Sequence, residues 1–163
     1  PLSERSIDYL EFGRCSTILD STQFDKSINV LSSRNERTGL KTRAQLADAL
    51  ADSKITLALT RLDNQPELAE GVDTLTQRYW ECMLSGVVIL GRAPQELIDI
   101  IGYDPVVHLD KDNANDQILG ILEHIEDYQE LVDRNRQRAL EHGDWKVRIE
   151  WMMGVMKKLG YEV

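Results

Sequence analysis

The chain has little of what marks several protein classes. No apolar run in its 163 residues approaches the roughly 18 that a membrane-spanning helix needs. Basic residues are few, 19 against 28 acidic ones, so the net charge is -9 and non-specific binding to nucleic acid is disfavoured. Apolar residues are not scarce: at 42% they exclude a disordered chain. The length then predicts one globular domain, residues 1–163.

Cysteine and histidine are also sparse. Cys15 and Cys82 form no CxxC pair, so we expect two buried free thiols and a reducing, cytoplasmic setting. The histidines, His108, His124 and His142, are scattered, and we expect no metal site.

Phosphate-binding motifs are missing too. Neither GxGxxG nor GxxxxGK[ST] occurs, which excludes a dinucleotide fingerprint and a P-loop. The acidic balance still permits a local basic pocket for one phosphate group. The chain opens at Pro1 without a Met, and we expect it to be a piece of a longer protein.

Apolar and β-prone runs alternate with helical patterns. The runs that predict strands are Ile7–Phe12, Lys54–Thr60, Val87–Leu90 and Pro105–Leu109. The patterns that predict helices start near Ser21, at Thr42, at Thr74, at Pro94 and at Asn113. Arg61–Asp73 is predicted to be a polar loop. The spacings of Thr42 with Gln45 and of Thr74 with Gln77 are those of capping boxes.

This alternation predicts an α/β domain with a mainly parallel sheet and right-handed crossovers. Ligands in such sheets bind beyond the carboxyl ends of the strands. The loops at those ends are Gly13–Leu19, Arg61–Asp73, Gly91–Ala93 and Asp110–Asp112.

Two places in these loops could carry chemistry. Gly13 and Arg14 follow the first strand, where they form either a tight turn or a close approach with a phosphate-binding fork. Asp73 and Glu81 flank the start of a helix, whose free N–H groups suit a phosphate or a sugar hydroxyl. Taken alone, an Asp before a helix is usually a cap and a Glu within one is usually a solvated side chain.

The segment around these acids resembles a known family. VDTLTQRYWECMLSGVVILGRAPQEL is similar to the nucleotide-sugar-binding segment of retaining GT-B glycosyltransferases, the group-1 or family-4 type. The pattern there is an acid, seven residues, Glu, a small-residue stretch with Gly, and a buried strand. Here it stands as Asp73, Glu81, Gly86 and then Val87–Val88. Phe12-Gly13-Arg14 resembles the opening of the same domain, and Trp145 and Arg148 resemble its tail.

The resemblance implies a Rossmann-like three-layer α/β/α domain with a helical C-terminal tail. It implies that Glu81 binds the ribose of a nucleotide-diphosphate sugar and that Asp73 contacts the sugar. Arg14 with Gly13 would neutralise the diphosphate. The backbone amides that would face the donor are those of Thr74, Leu75, Thr76 and Gln77. No cofactor beyond the donor sugar is implied. The partner is an acceptor-binding N-terminal domain, without which we expect no transfer.

The sequence departs from the family pattern at three points. The first acid, Asp73, is one methylene shorter than the usual Glu. The lysine that usually follows Gly-Arg is absent from that spacing, and Lys26 is the next one along the chain. Val87 stands where the pattern has Pro after its Gly.

One alternative remains open from the residues themselves. A flavodoxin- or receiver-like binding module would use the same sheet edge without glycosyl transfer. The helices in residues 129–163 also have two interpretations. Their apolar face, which includes Trp145, Ile149 and Met152, is either ordinary core, which we expect, or a surface for the N-terminal domain.

Overall fold

The computed structural model describes residues 1–13, 18–33 and 40–161. Within them, five strands form one parallel sheet in the order β2-β1-β3-β4-β5. The strands are β1 (Ile7–Glu11), β2 (Val30–Ser32), β3 (Ser53–Ala58), β4 (Val88–Gly91) and β5 (Val107–His108). The predicted α/β domain with a parallel sheet is confirmed.

The helices of the described residues follow the strands in alternation. They are α1 (Arg43–Ala51), α2 (Arg61–Asn64), α3 (Pro66–Ala69), α4 (Gln77–Ser85), α5 (Gln95–Ile101), α6 (Ala114–Glu123), α7 (Gln129–His142) and α8 (Trp145–Lys158). Short 3₁₀ turns lie at Leu2–Glu4, Ser21–Gln23 and Ile125–Tyr128.

The sheet lies between two apolar cores. Successive strand residues point to opposite faces, so Leu10 packs with α1, α4 and α5 while Tyr9 packs with α6. Both side chains are at most 1% exposed. The predicted three-layer α/β/α arrangement follows from this alternation.

The helix predicted from Ser21 is wrong. The chain forms a 3₁₀ turn there and then β2, in which Val30 and Leu31 pair with β1. The carboxylate of Asp25 accepts hydrogen bonds from the amide and the hydroxyl of Ser27, at 2.8 and 2.7 Å. Such local bonds compete with helix formation. Of the apolar residues whose spacing indicated a helix, Ile28 is instead buried in the core that contains Tyr9 of β1.

The two predicted capping boxes have different outcomes. The first forms, because Thr42 Oγ1 accepts from Gln45 N at 3.2 Å and Gln45 Oε1 accepts from Thr42 N at 3.0 Å. The second does not: α4 begins at Gln77, and Thr76 caps it without a side-chain hydrogen bond. Thr74 therefore lies outside the helix, in the chain that precedes it. Gly86 ends α4 in the left-handed conformation, as predicted.

The predicted polar loop Arg61–Asp73 contains the short helices α2 and α3. Thr60 is the N-cap of α2. The amide and the hydroxyl of Thr60 both donate to the carboxylate of Asp63, at 3.1 and 2.9 Å. Local capping thus organises a segment whose polar composition indicated only a loop.

The helix α8 lies on the surface, and the expectation that its apolar face is core is wrong. It buries no residue, and Trp145, Ile149 and Trp151 are 69%, 48% and 72% exposed. Arg148 attaches it to the domain, 3.3 Å from Glu96 Oε1. A cavity of about 610 Å³ separates α8 from α5. None of the helices in the described ranges is long and apolar enough to span a membrane.

The thiol of Cys82 is predicted to be unreactive in the folded protein. It is free, 0% exposed and lies on the buried face of α4, and burial raises its pKa to about 12. In a Cys15→Ser variant, a chromogenic thiol reagent at neutral pH should label Cys82 only after denaturant is added. Rapid labelling without denaturant would contradict the buried placement.

Candidate functional site

The carboxyl ends of the parallel strands share one edge of the sheet. Strand β1 leads there to Gly13, β3 to Thr60 and β4 to Arg92. From β1 the chain passes to β2 on one side of it, and from β2 it then crosses to β3 on the other side of β1. The topological switch point therefore lies between β1 and β3. Open α/β sheets bind ligands in the crevice at such a point.

Gly91 brings β3 and β4 close together at this edge. Its φ is +143°, and a Cβ on it would overlap the carbonyl oxygen of Ala58. Only glycine permits that approach. The residue after it, Arg92, is thereby directed over the end of the sheet.

The guanidinium of Arg92 joins three segments. Its Nε donates to both carboxylate oxygens of Asp63, at 2.8 and 3.0 Å. Its Nη1 and Nη2 donate to the two oxygens of Asp73, at 2.8 and 2.9 Å, and Nη2 also donates to Thr60 Oγ1 at 2.8 Å. The fork therefore makes a bidentate contact with Asp73, through two parallel N–H bonds, which is the strongest geometry for such pairs. The single N–H of Nε is shared between the two oxygens of Asp63.

This network holds both acids ionised. Burial opposes ionisation of Asp63, yet hydrogen bonds from Arg92 and Thr60 keep the pKa of its carboxyl below the usual value. Hydrogen bonds from Arg92 likewise lower the pKa of Asp73. The same bonds raise the pKa of Arg92. The network thus carries one positive and two negative charges at neutral pH.

The phenol of Tyr79 ties α4 to the same edge. Its hydroxyl donates to the carbonyl oxygen of Arg92 at 2.5 Å, and the residue is 0% exposed. Burial raises the pKa of this phenol, so the hydroxyl remains a donor. The start of α4 is therefore fixed relative to β4.

The structure places most of the predicted site residues along one path. Asp73 lies at the Arg92 network, the non-helical segment Thr74–Thr76 follows, and α4 then carries Gln77 and Glu81. Among the described residues, the amides of Thr74, Leu75 and Thr76 donate no hydrogen bond. Those three N–H groups are available to a ligand.

The remaining predicted residues are Glu81, Gly13 and Arg14. Glu81 is half-buried in α4, and within the described part of the chain its carboxylate has no hydrogen-bond partner. Gly13 lies at the end of β1, with φ at +73°. Arg14 is outside the described residues.

Two basic side chains at this edge were not predicted. Arg92 was missed because its partners are remote in sequence. The other is Arg78, which lies beside Gly13 and over the ring of Phe12, 4.6 Å from the ring centroid. A signal for Arg78 existed, because it stands three residues before Glu81 and so shares its helix face.

The fold and this edge define an open, parallel α/β domain with a topological switch point between β1 and β3. Comparison with protein families matches residues 17–154 to a family described as glycosyl transferase-like. The chain therefore belongs to that family. Comparison with curated proteins and with solved structures gave no match.

The alternative, a flavodoxin- or receiver-like module, shares the strand order β2-β1-β3-β4-β5. Strand order therefore does not separate the two interpretations. The family match favours the glycosyltransferase interpretation, because the matched region includes Asp73, Glu81 and the strand β4.

No group of three or more His, Cys, Asp or Glu side chains that could hold a metal ion occurs in residues 1–13, 18–33 and 40–161. The cationic groups found at the edge are arginines.

Replacing Arg92 should destabilise the fold and alter its response to pH. In Arg92→Gln the two carboxylates lose their shared partner, which should lower the free energy of unfolding by about 1–3 kcal/mol at pH 7. Folding lowers both acid pKa values, so the network stabilises above roughly pH 4 and its contribution is lost as the pH falls further. The stability difference from wild type should therefore shrink toward pH 3 in urea titrations.

The matched control is Arg138→Gln, which removes an exposed pair with Glu141 on α7. Water screens the charges of such an exposed pair, so its removal should change the stability far less than the loss of Arg92. Equal losses in the two variants, or a difference that grows on acidification, would contradict the role assigned to Arg92.

Proposed function

We propose that this chain is the nucleotide-diphosphate-sugar donor-binding domain of a retaining GT-B glycosyltransferase. The observation that carries the proposal is the path from Asp73 through Thr74–Thr76 to Glu81 along the ligand-binding edge of the sheet. This path lies inside the region that matches the glycosyl transferase-like family. It presents carboxylates at both ends and unpaired N–H groups between them.

The carboxylate of Glu81 suits a ribose. Two adjacent hydroxyls of a sugar can each donate to one oxygen of a carboxylate. Glu81 is half-buried, so water competes less for those bonds. Its oxygens are not committed to another described residue, unlike those of Asp63.

The carboxylate of Asp73 suits the transferred sugar. Arg92 occupies one lone pair on each of its oxygens, and each oxygen retains a further acceptor site. Because Arg92 also keeps the acid ionised, Asp73 can accept from a sugar hydroxyl without itself moving. The shorter Asp side chain is held at a defined position by the fork.

The segment between the acids suits the leaving group. When the bond between the sugar C1 and the diphosphate oxygen breaks, negative charge develops on the departing diphosphate. Fixed donors stabilise that charge without reorganising. The amides of Thr74–Thr76 supply such donors in the described structure, and the resemblance adds Gly13, Arg14 and the amide of Gln77. Retention of the anomeric configuration rests on the family resemblance.

The acceptor-binding half is assigned to a separate N-terminal domain. The exposed apolar face of α8 supports this, because Trp145, Ile149 and Met152 have no partner in the described domain core. We propose a cytoplasmic setting, supported by the free thiol of Cys82. By itself, this domain would bind donor weakly and transfer nothing.

Calorimetric or NMR titration with UDP, GDP and ADP tests the proposal. One of these should bind the wild-type chain, and Glu81→Gln should weaken that binding by about 1.5–3 kcal/mol because charged hydrogen bonds to the ribose are lost. The matched control is Glu123→Gln, an exposed acid on α6. No binding of any of the three nucleotides at millimolar concentration would contradict the proposal.

A further inference from the structure

A second guanidinium lies at the ligand-binding edge. Arg78, in the first turn of α4, reaches across to the end of β1. It comes so close to Gly13 that a Cβ on that residue would overlap its Nη2 atom. The absence of a side chain at position 13 is what makes room for this guanidinium.

The side chain of Arg78 packs against the aromatic ring of Phe12. Its guanidinium carbon lies 4.6 Å from the centroid of the Phe12 ring, a distance typical of cation–π contact. Phe12 is 6% exposed and belongs to the core beneath α4. A ring face has no hydrogen-bond acceptor atom, so this contact leaves the N–H groups of the guanidinium free to donate elsewhere.

The charge of Arg78 is not neutralised within the described part of the chain. No carboxylate there lies within salt-bridge distance of it, whereas Arg92 at the same edge pairs with both Asp63 and Asp73. Of these two arginines, only Arg78 can offer its full charge and fork to an anion.

Three side chains, in α4 and just before it, occur in the same order as the groups of a nucleotide-sugar donor, which are the sugar, the diphosphate and the ribose. Asp73 precedes α4, Arg78 lies in its first turn, and Glu81 lies one turn further on the same face. A donor with its sugar at Asp73 and its ribose at Glu81 places its diphosphate between them. Arg78 occupies that interval.

We propose that Arg78 binds the diphosphate of the donor. This inference rests on the proposed function. The planar fork of a guanidinium pairs with phosphate oxygens through two parallel bonds. Such bonds strengthen as charge develops on the leaving group.

The test compares nucleoside diphosphate with nucleoside. We would first titrate UDP, GDP and ADP by NMR into the wild type and into Arg78→Gln. The nucleoside that corresponds to the diphosphate that binds would then be titrated into the same two proteins. The variant should lose at least about tenfold in affinity for the diphosphate and keep its affinity for the nucleoside. Glu81→Gln should lose affinity for both ligands. Arg78→Lys should recover part of the diphosphate affinity, because it keeps the charge without the fork.

Arg138→Gln, an exposed arginine on α7, should bind both ligands as wild type does. Thermal melting checks that each variant is folded. If Arg78→Gln binds the diphosphate like wild type, the inference is overturned and the proposed function stands. If it loses both ligands equally, Arg78 serves packing on Phe12 and the inference is again overturned. If wild type binds no nucleotide, the proposed function fails with it.

Discussion

The guanidinium of Arg92 is the contact on which the arrangement of this edge depends. It joins the end of β3, the helix α2 and the segment before α4 through Thr60, Asp63 and Asp73. Its backbone carbonyl accepts from Tyr79, so α4 is fixed by the same residue. The network is 18–32% exposed at its side chains, which places it where water screens its charges only partly. The segment Thr74–Thr76 therefore lies between two fixed points, Asp73 bound to Arg92 and Tyr79 bound to the carbonyl of Arg92.

The two arginines at this edge differ in their surroundings. Arg92 is saturated by carboxylates and positions them, which suits a structural role beside a site. Arg78 is stacked on Phe12 and carries charge toward the crevice, which suits an anion. The acidic protein, with a net charge of -9, can thus present local positive charge without a basic surface. A local anion site of the kind proposed would therefore not be visible in the overall composition.

Much of the fold could be predicted from local patterns. The buried runs of β3 and β4, the capping box of α1 and the Gly86 ending of α4 depend on neighbouring residues, and the structure confirms them. The helix expected from Ser21 failed because its apolar spacing also fits a turn followed by β2. The capping box expected at Thr74 did not form because α4 begins three residues later, at Gln77, with Thr76 as its N-cap.

By itself, the sequence determined the alternation of strands and helices, the parallel sheet and the loops that meet at its ligand-binding edge. It also determined the family segment from Asp73 to Glu81. Only the tertiary structure decided that Arg92 binds Asp73, that Arg78 lies against Gly13 and that α8 leaves its apolar face exposed. The physical reason is range. Periodicity and capping act between residues a few positions apart, whereas these pairings exist only once the order of the strands has brought remote segments to one edge.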